Sequence, residues 1–140
     1  MKLELYFPKE AENLVPFFSI PIPAGKAHEV DQIVDWIDLN DFVRRGSDPV
    51  YYLRVNGNSM EESIFHGDLL VVRRVENAET GDIVIAEING EFTVKTLKRE
   101  HKGLYLVPKN GDYKTVKIGR RDKFAVWGIV DFIVRSTRKK

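Results

Sequence analysis

Asn89-Gly90 stands between two strand-like runs, Asp82 to Ile88 and Glu91 to Leu97, and restricts the fold more tightly than any other feature of the chain. Both residues tolerate the positive φ that a two-residue primed turn requires, and that turn has the twist its flanking strands need. The sequence therefore predicts a hairpin over 82–97. The same signature recurs on either side. Tyr51, Leu53 and Val55 alternate with Tyr52 and Arg54, Asp68 to Val72 is a short apolar run, and Phe124 to Val134 is long and β-branched. Period-two alternation and β-branched enrichment mark strands. Helix is scarce: between Val30 and Gly46 the apolar residues Ile33, Val34, Trp36, Ile37, Leu39, Phe42 and Val43 surround Asp38, which is placed to cap a short helix that Gly46 ends. The expected fold class is mainly β.

The first 28 residues read differently, because Pro8, Pro16, Pro21 and Pro23 are four of the six prolines in the chain. Proline removes a backbone donor and blocks helix continuation, so an extended N-terminal arm is expected. Its Leu14, Val15, Phe17, Phe18, Ile20 and Ile22 would not stay in water, and the arm should lie across a groove of its own domain or of a neighbour.

Composition narrows the chemistry. With no cysteine, disulfides, thiol nucleophiles and zinc sites of the Cys type are excluded. His28, His66 and His101 are each more than thirty residues apart, which argues against a local metal site. No cofactor is implied. The 140 residues carry a net charge of +1, against a surface built wholly for nucleic acid. That balance hides a division: residues 1–90 hold 8 basic and 16 acidic side chains, residues 91–140 hold 14 and 5. The basic tail Arg135 to Lys140 reads as a solvated terminus rather than a strong DNA contact. Leu14 to Ala24 is interrupted by three prolines and preceded by Glu10 and Glu12, so neither a signal peptide nor a membrane span is expected and the protein reads as cytoplasmic.

Gly57-Asn58-Ser59-Met60 comes after a predicted strand and would present the Ser59 hydroxyl at a turn, although such a triplet is by itself an ordinary loop. A serine nucleophile needs a base. Two are available from the residues alone: His66, close in sequence and followed by Asp68, or Lys95, in the strand Glu91 to Leu97 among Phe92, Val94 and Leu97. A buried lysine acts as a base because desolvation disfavours its charged form.

The ordered set Gly57-Asn58-Ser59-Met60-Glu61, Gly67-Asp68-Leu69-Leu70-Val71-Val72, Gly81-Asp82-Ile83-Val84 and Glu91-Phe92-Thr93-Val94-Lys95 resembles the LexA and UmuD family of self-cleaving serine-lysine peptidases over roughly residues 20–134. The resemblance implies a LexA/signal-peptidase-like catalytic domain of several curved sheets, with Ser59 and Lys95 as the dyad. It also implies an oxyanion hole from the backbone amides of Asn58 and Ser59, and support from Thr93 and Met60. Its cleavage site falls on Ala24-Gly25, 35 residues before Ser59, dividing the chain into a cleavable arm, 1–24, and a peptidase and dimerisation domain, 25–140.

Within the family the chain is most similar to the UmuD branch, because only 24 residues precede the cleavage site where repressors carry a helix-turn-helix domain. Ile37-Asp38-Leu39-Asn40 adds to that likeness, whereas Glu61-Glu62 and Ser63 to His66 look more like the broader family and suit a plasmid- or phage-borne relative. The branch implies an SOS mutagenesis protein: a homodimer, cleaved under the influence of the RecA filament on single-stranded DNA. Its processed form would bind the catalytic subunit of a translesion DNA polymerase. The alternatives are a LexA-like or phage-type regulator and, needing an anchor this chain lacks, a signal-peptidase-like enzyme.

Overall fold

The computed structural model describes residues 2–6, 15–17, 35–44, 46–57, 63–109 and 114–138. Among these, the strands are β1 (Lys2–Tyr6), β2 (Val15–Phe17), β3 (Asp35–Ile37), β4 (Val50–Asn56), β5 (Leu69–Arg73), β6 (Ile83–Ile88), β7 (Glu91–Glu100), β8 (Gly103–Val107), β9 (Val116–Lys117) and β10 (Phe124–Val134), with one helix, α1 (Leu39–Phe42). Eight strands form one sheet in the order β1-β4-β5-β10-β6-β7-β8-β9, and β2 pairs with β3 separately. The paired strands are antiparallel throughout.

The predicted hairpin forms as β6 and β7, closed by Asn89 at φ 51° and Gly90 at φ 85°. Those two positive angles are the primed turn, which right-handed strand twist favours. Asn89 is further held by its backbone N–H donating to the Lys123 carbonyl (2.8 Å) and its side chain bonding Asp122 (2.9 Å) and the Lys123 N–H (3.0 Å). Asp38 caps α1 as the sequence suggests, its carboxylate accepting from the Asn40 N–H at 2.8 Å. Residues 35–37 pair with 15–17 as a strand, and the helix begins after Asp38 as expected but ends at Phe42, with Val43 as its C-cap, short of Gly46. Residues 2–6 of the arm form an edge strand on β4, Lys2 opposite Asn56 and Tyr6 opposite Tyr52; of the apolar residues expected to lie in a groove, Leu14, Phe18, Ile20 and Ile22 lie outside the described residues.

Alternation along the central strands gives the sheet two buried faces. Leu53, Val55, Leu70, Val72, Ile85 and Val94 pack with Ile64 on one. On the other, Val84, Ala86, Leu97, Leu106, Val126 and Ile129 form one cluster, and Val43, Val50 and Val71 a second. Each fully buried aliphatic side chain contributes about 1.5–3 kcal/mol relative to exposure. β10 lies between β5 and β6 and its register shifts twice, between Val126 and Gly128 and between Val130 and Phe132. An extra residue resets the alternation, which lets Val126, Ile129 and Phe132 all serve the second face. Asp131, at the second shift, pairs with Arg73 at 2.9 Å.

Candidate active site

β7 has the burial pattern of a central strand, and in the middle of it sits Lys95, only 8% exposed. Thr93, Lys95 and Leu97 share one face by alternation, and the register sets Val84 opposite Lys95 and Ala86 opposite Thr93. Val84, Ala86 and Leu97 are all fully buried. Burial pushes the Lys95 amine below its ordinary pKa of 10.5, since an ammonium loses more solvation than an amine does. Lys95 Nζ donates to Thr93 Oγ1 at 2.9 Å and to the Val94 carbonyl at 3.1 Å. Both bonds orient the amine, and in its neutral form an amine carries the lone pair a general base requires.

Asn58, Ser59, Met60, Ala24 and Gly25 lie outside the described residues, but both ends of the stretch that carries Ser59 are placed. It leaves β4 at Gly57 and resumes at Ser63, ahead of a turn over 63–68. The turn is fastened to the end of β4: the Val55 N–H donates to the Asp68 carbonyl (2.9 Å), and the Gly67 N–H to the Val55 carbonyl (2.8 Å).

His66 and Asp68, the other base and its carboxylate, are engaged separately. His66 Nδ1 accepts from the Gly57 N–H at 3.3 Å. The Asp68 carboxylate, 2% exposed, accepts from Arg135 at 2.7 and 2.6 Å and from the Phe65 N–H at 2.8 Å. Residues 135–138 are exposed, as a solvated terminus should be, but Arg135 is also tied to the Asp68 turn, and nothing in its sequence neighbourhood signals this. Its partner is 67 positions away.

Among the described residues no three His, Cys, Asp or Glu side chains gather as metal ligands, and no helix is long and apolar enough to cross a membrane.

Comparison with known proteins finds relatives of the sequence. The Peptidase S24-like family matches residues 16–131. The LexA repressor of Xylella fastidiosa strain M23 is 37% identical over 118 residues, covering 84% of this chain and 56% of the repressor. The LexA repressor of Delftia acidovorans is 39% identical over 90 residues, 64% of this chain and 40% of its own. Protein SamA of Salmonella typhimurium is 35% identical over 129 residues, 91% of this chain and 89% of SamA. The chain spans about half the length of the Xylella repressor and most of the length of SamA. With a family match running from β2 into β10 and taking in the strand of the buried lysine, the chain belongs to the Peptidase S24-like family.

Proposed function

We propose that this protein is a self-cleaving serine peptidase in which Lys95 is the general base, Ser59 the nucleophile and Ala24-Gly25 the scissile bond. The observation that carries the reading is the burial of Lys95 on β7, with its pKa pushed down and its amine oriented by Thr93 and Val94.

Ser59 Oγ attacks the Ala24 carbonyl carbon while its proton passes to Lys95 Nζ. The oxyanion is held by the backbone N–H groups of Asn58 and Ser59, each such donor being worth about 2.7–4 kcal/mol in other hydrolases. Collapse breaks the bond to the Gly25 nitrogen, which takes the proton from Lys95. Water, deprotonated by the same amine, then hydrolyses the ester and regenerates the Ser59 hydroxyl.

In the cell the processed chain, 25–140, serves as the homodimeric accessory subunit of an error-prone translesion DNA polymerase in the cytoplasm, in the SOS response. RecA filaments on single-stranded DNA favour the cleavable placement of the arm, which requires them to bind that state more tightly than its alternative. The match to SamA, extensive on both chains, supports this reading. A second reading, a self-cleaving transcriptional regulator, is favoured by the matches to LexA repressors.

The deciding experiment incubates the purified chain alone at pH 7–10, and separately with RecA, nucleotide and single-stranded DNA at neutral pH. Mass and new N-terminus are then determined. A product beginning at Gly25, absent from Ser59→Ala and Lys95→Ala, is expected; normal cleavage in either variant removes the dyad. Copurification of the 25–140 fragment with a translesion polymerase subunit, against binding of the intact chain to operator DNA, separates the two cellular roles.

A further inference from the structure

Arg135 comes directly after β10, the strand flanked by β5 and β6 within the sheet, and lies past the stretch that the family matches. Its guanidinium meets four features of one short turn. Nε and Nη2 bind the two Asp68 carboxylate oxygens at 2.7 and 2.6 Å, Nη2 also donates to the Ser63 carbonyl at 3.0 Å, and the group lies 4.5 Å from the centre of the Phe65 ring. The Phe65 N–H completes the Asp68 carboxylate at 2.8 Å. A buried carboxylate is tolerable only when paired and fully hydrogen-bonded, and a bidentate guanidinium fixes orientation as well as charge. The turn over 63–68 is thereby locked to the sheet at the point where the chain returns from Ser59.

The departing end is fastened differently. The Gly57 N–H donates to His66 Nδ1, Val55 exchanges two backbone bonds with Gly67 and Asp68, and Arg54 Nη1 donates to the Gly67 carbonyl at 3.1 Å. Entry and exit therefore converge on the one turn that Arg135 fastens, and Arg135's own bonds are to Ser63 and Asp68. Lys95 owes its burial to β6 and β7, which Arg135 does not touch through any of these bonds.

We propose that Arg135 and Asp68 are a positioning pair for self-cleavage: they hold the exit of the Ser59 segment in register with Lys95 without themselves touching the reacting atoms. This rests on the reading of Ser59 and Lys95 as the dyad. It accounts for a salt bridge between a C-terminal residue and a turn 67 positions earlier, in terms of where the nucleophile must be held. Misplacement of a reacting group by about 1 Å can lower a rate roughly 100-fold.

The test uses the full chain and compares wild type, Arg135→Gln, Arg135→Lys and Lys95→Ala by self-cleavage rate across pH 7–10. Arg135→Gln is expected to lower the rate about 10- to 100-fold at every pH, with the pH dependence set by Lys95 unchanged. Arg135→Lys, keeping the charge but losing the fork, should fall between. A normal rate in Arg135→Gln, or a displaced pH profile, overturns the proposal.

Amide exchange on the uncleavable Lys95→Ala background, with and without Arg135→Gln, provides the second arm. Faster exchange confined to the neighbourhood of residues 57–68 supports the pair. Unchanged exchange overturns it, and so does faster exchange throughout β5, β6 and β7, which would make the bridge a general stabiliser. If wild type yields no product beginning at Gly25, or Lys95→Ala cleaves normally, the dyad reading fails, while exchange still decides whether Arg135 anchors the turn.

Discussion

The Thr93 hydroxyl oxygen accepts a hydrogen bond from Lys95 Nζ at 2.9 Å, two residues along the same face of β7. A short side chain thus aims a long flexible one, and Thr93→Val removes the acceptor while nearly keeping the volume. Loss of one such bond is worth about 0.5–1.5 kcal/mol, so the maximal self-cleavage rate is expected to fall roughly 2- to 10-fold. The hydroxyl holds an ammonium more strongly than an amine, so its removal should also move the midpoint of the pH–rate profile downward. A rate profile over pH 6–10.5, with the fold checked by circular dichroism at each pH, reads both effects.

Burial lowers the pKa of Lys95, so basal cleavage without an activator should accelerate as pH rises, about tenfold per unit, until the folded pKa is passed. A histidine base would instead level off near pH 7. A plateau from pH 7 upward would return His66 to consideration.

The same shift has a consequence for stability. Between the lowered folded pKa and the ordinary value of 10.5, the unfolded chain binds a proton at Lys95 that the folded chain does not, so this residue makes stability rise with pH in that window. Below the window its penalty is constant. Lys95→Met should therefore be more stable than wild type at neutral pH, with the advantage shrinking toward pH 10.5. Urea melts of the two proteins, each made uncleavable by Ser59→Ala, measure the difference.

Gly128 occupies the first register shift of β10, where an added Cβ would stand 2.6 Å from Val72 Cγ1 and 2.8 Å from the Arg73 carbonyl oxygen. The obstruction includes backbone of the adjacent β5 and cannot swing aside. Gly128→Ala is expected to destabilise the fold by about 1–3 kcal/mol, the usual effect of overpacking, visible as a lower urea midpoint with unchanged slope.

Local chemistry was the legible part of this fold. Asn89-Gly90 demanded its turn, Asp38 its cap, and the β-branched run from Phe124 to Val134 its strand, because each is decided by a few neighbouring residues. Gly103–Val107 and Val116–Lys117 carry little signal of their own; β9 has only two residues and takes its place from pairing with β8. Asp35–Ile37 was hidden among helix-compatible residues until pairing with 15–17 decided it. The motifs singled out Lys95, and alternation on β7 accounts for its burial. Arg135 was illegible, since a basic residue near a chain end looks solvated until the fold brings Asp68 to it.

β1 covers one side of β4 with backbone hydrogen bonds. Val55 directs its N–H and carbonyl to the turn at Gly67 and Asp68, so by alternation Arg54 and its even-numbered neighbours Tyr52 and Asn56 turn theirs toward β1. While the chain is continuous, the strand is tethered and meets its partner at a high effective concentration. With the proposed cut at Ala24-Gly25, that tether would be gone and the pairing would become an association between two molecules, governed by mass action. Severing the bond and losing the strand are then separate events. Dilution drives the second, and it leaves on β4 an unpaired edge of the kind that templates another strand.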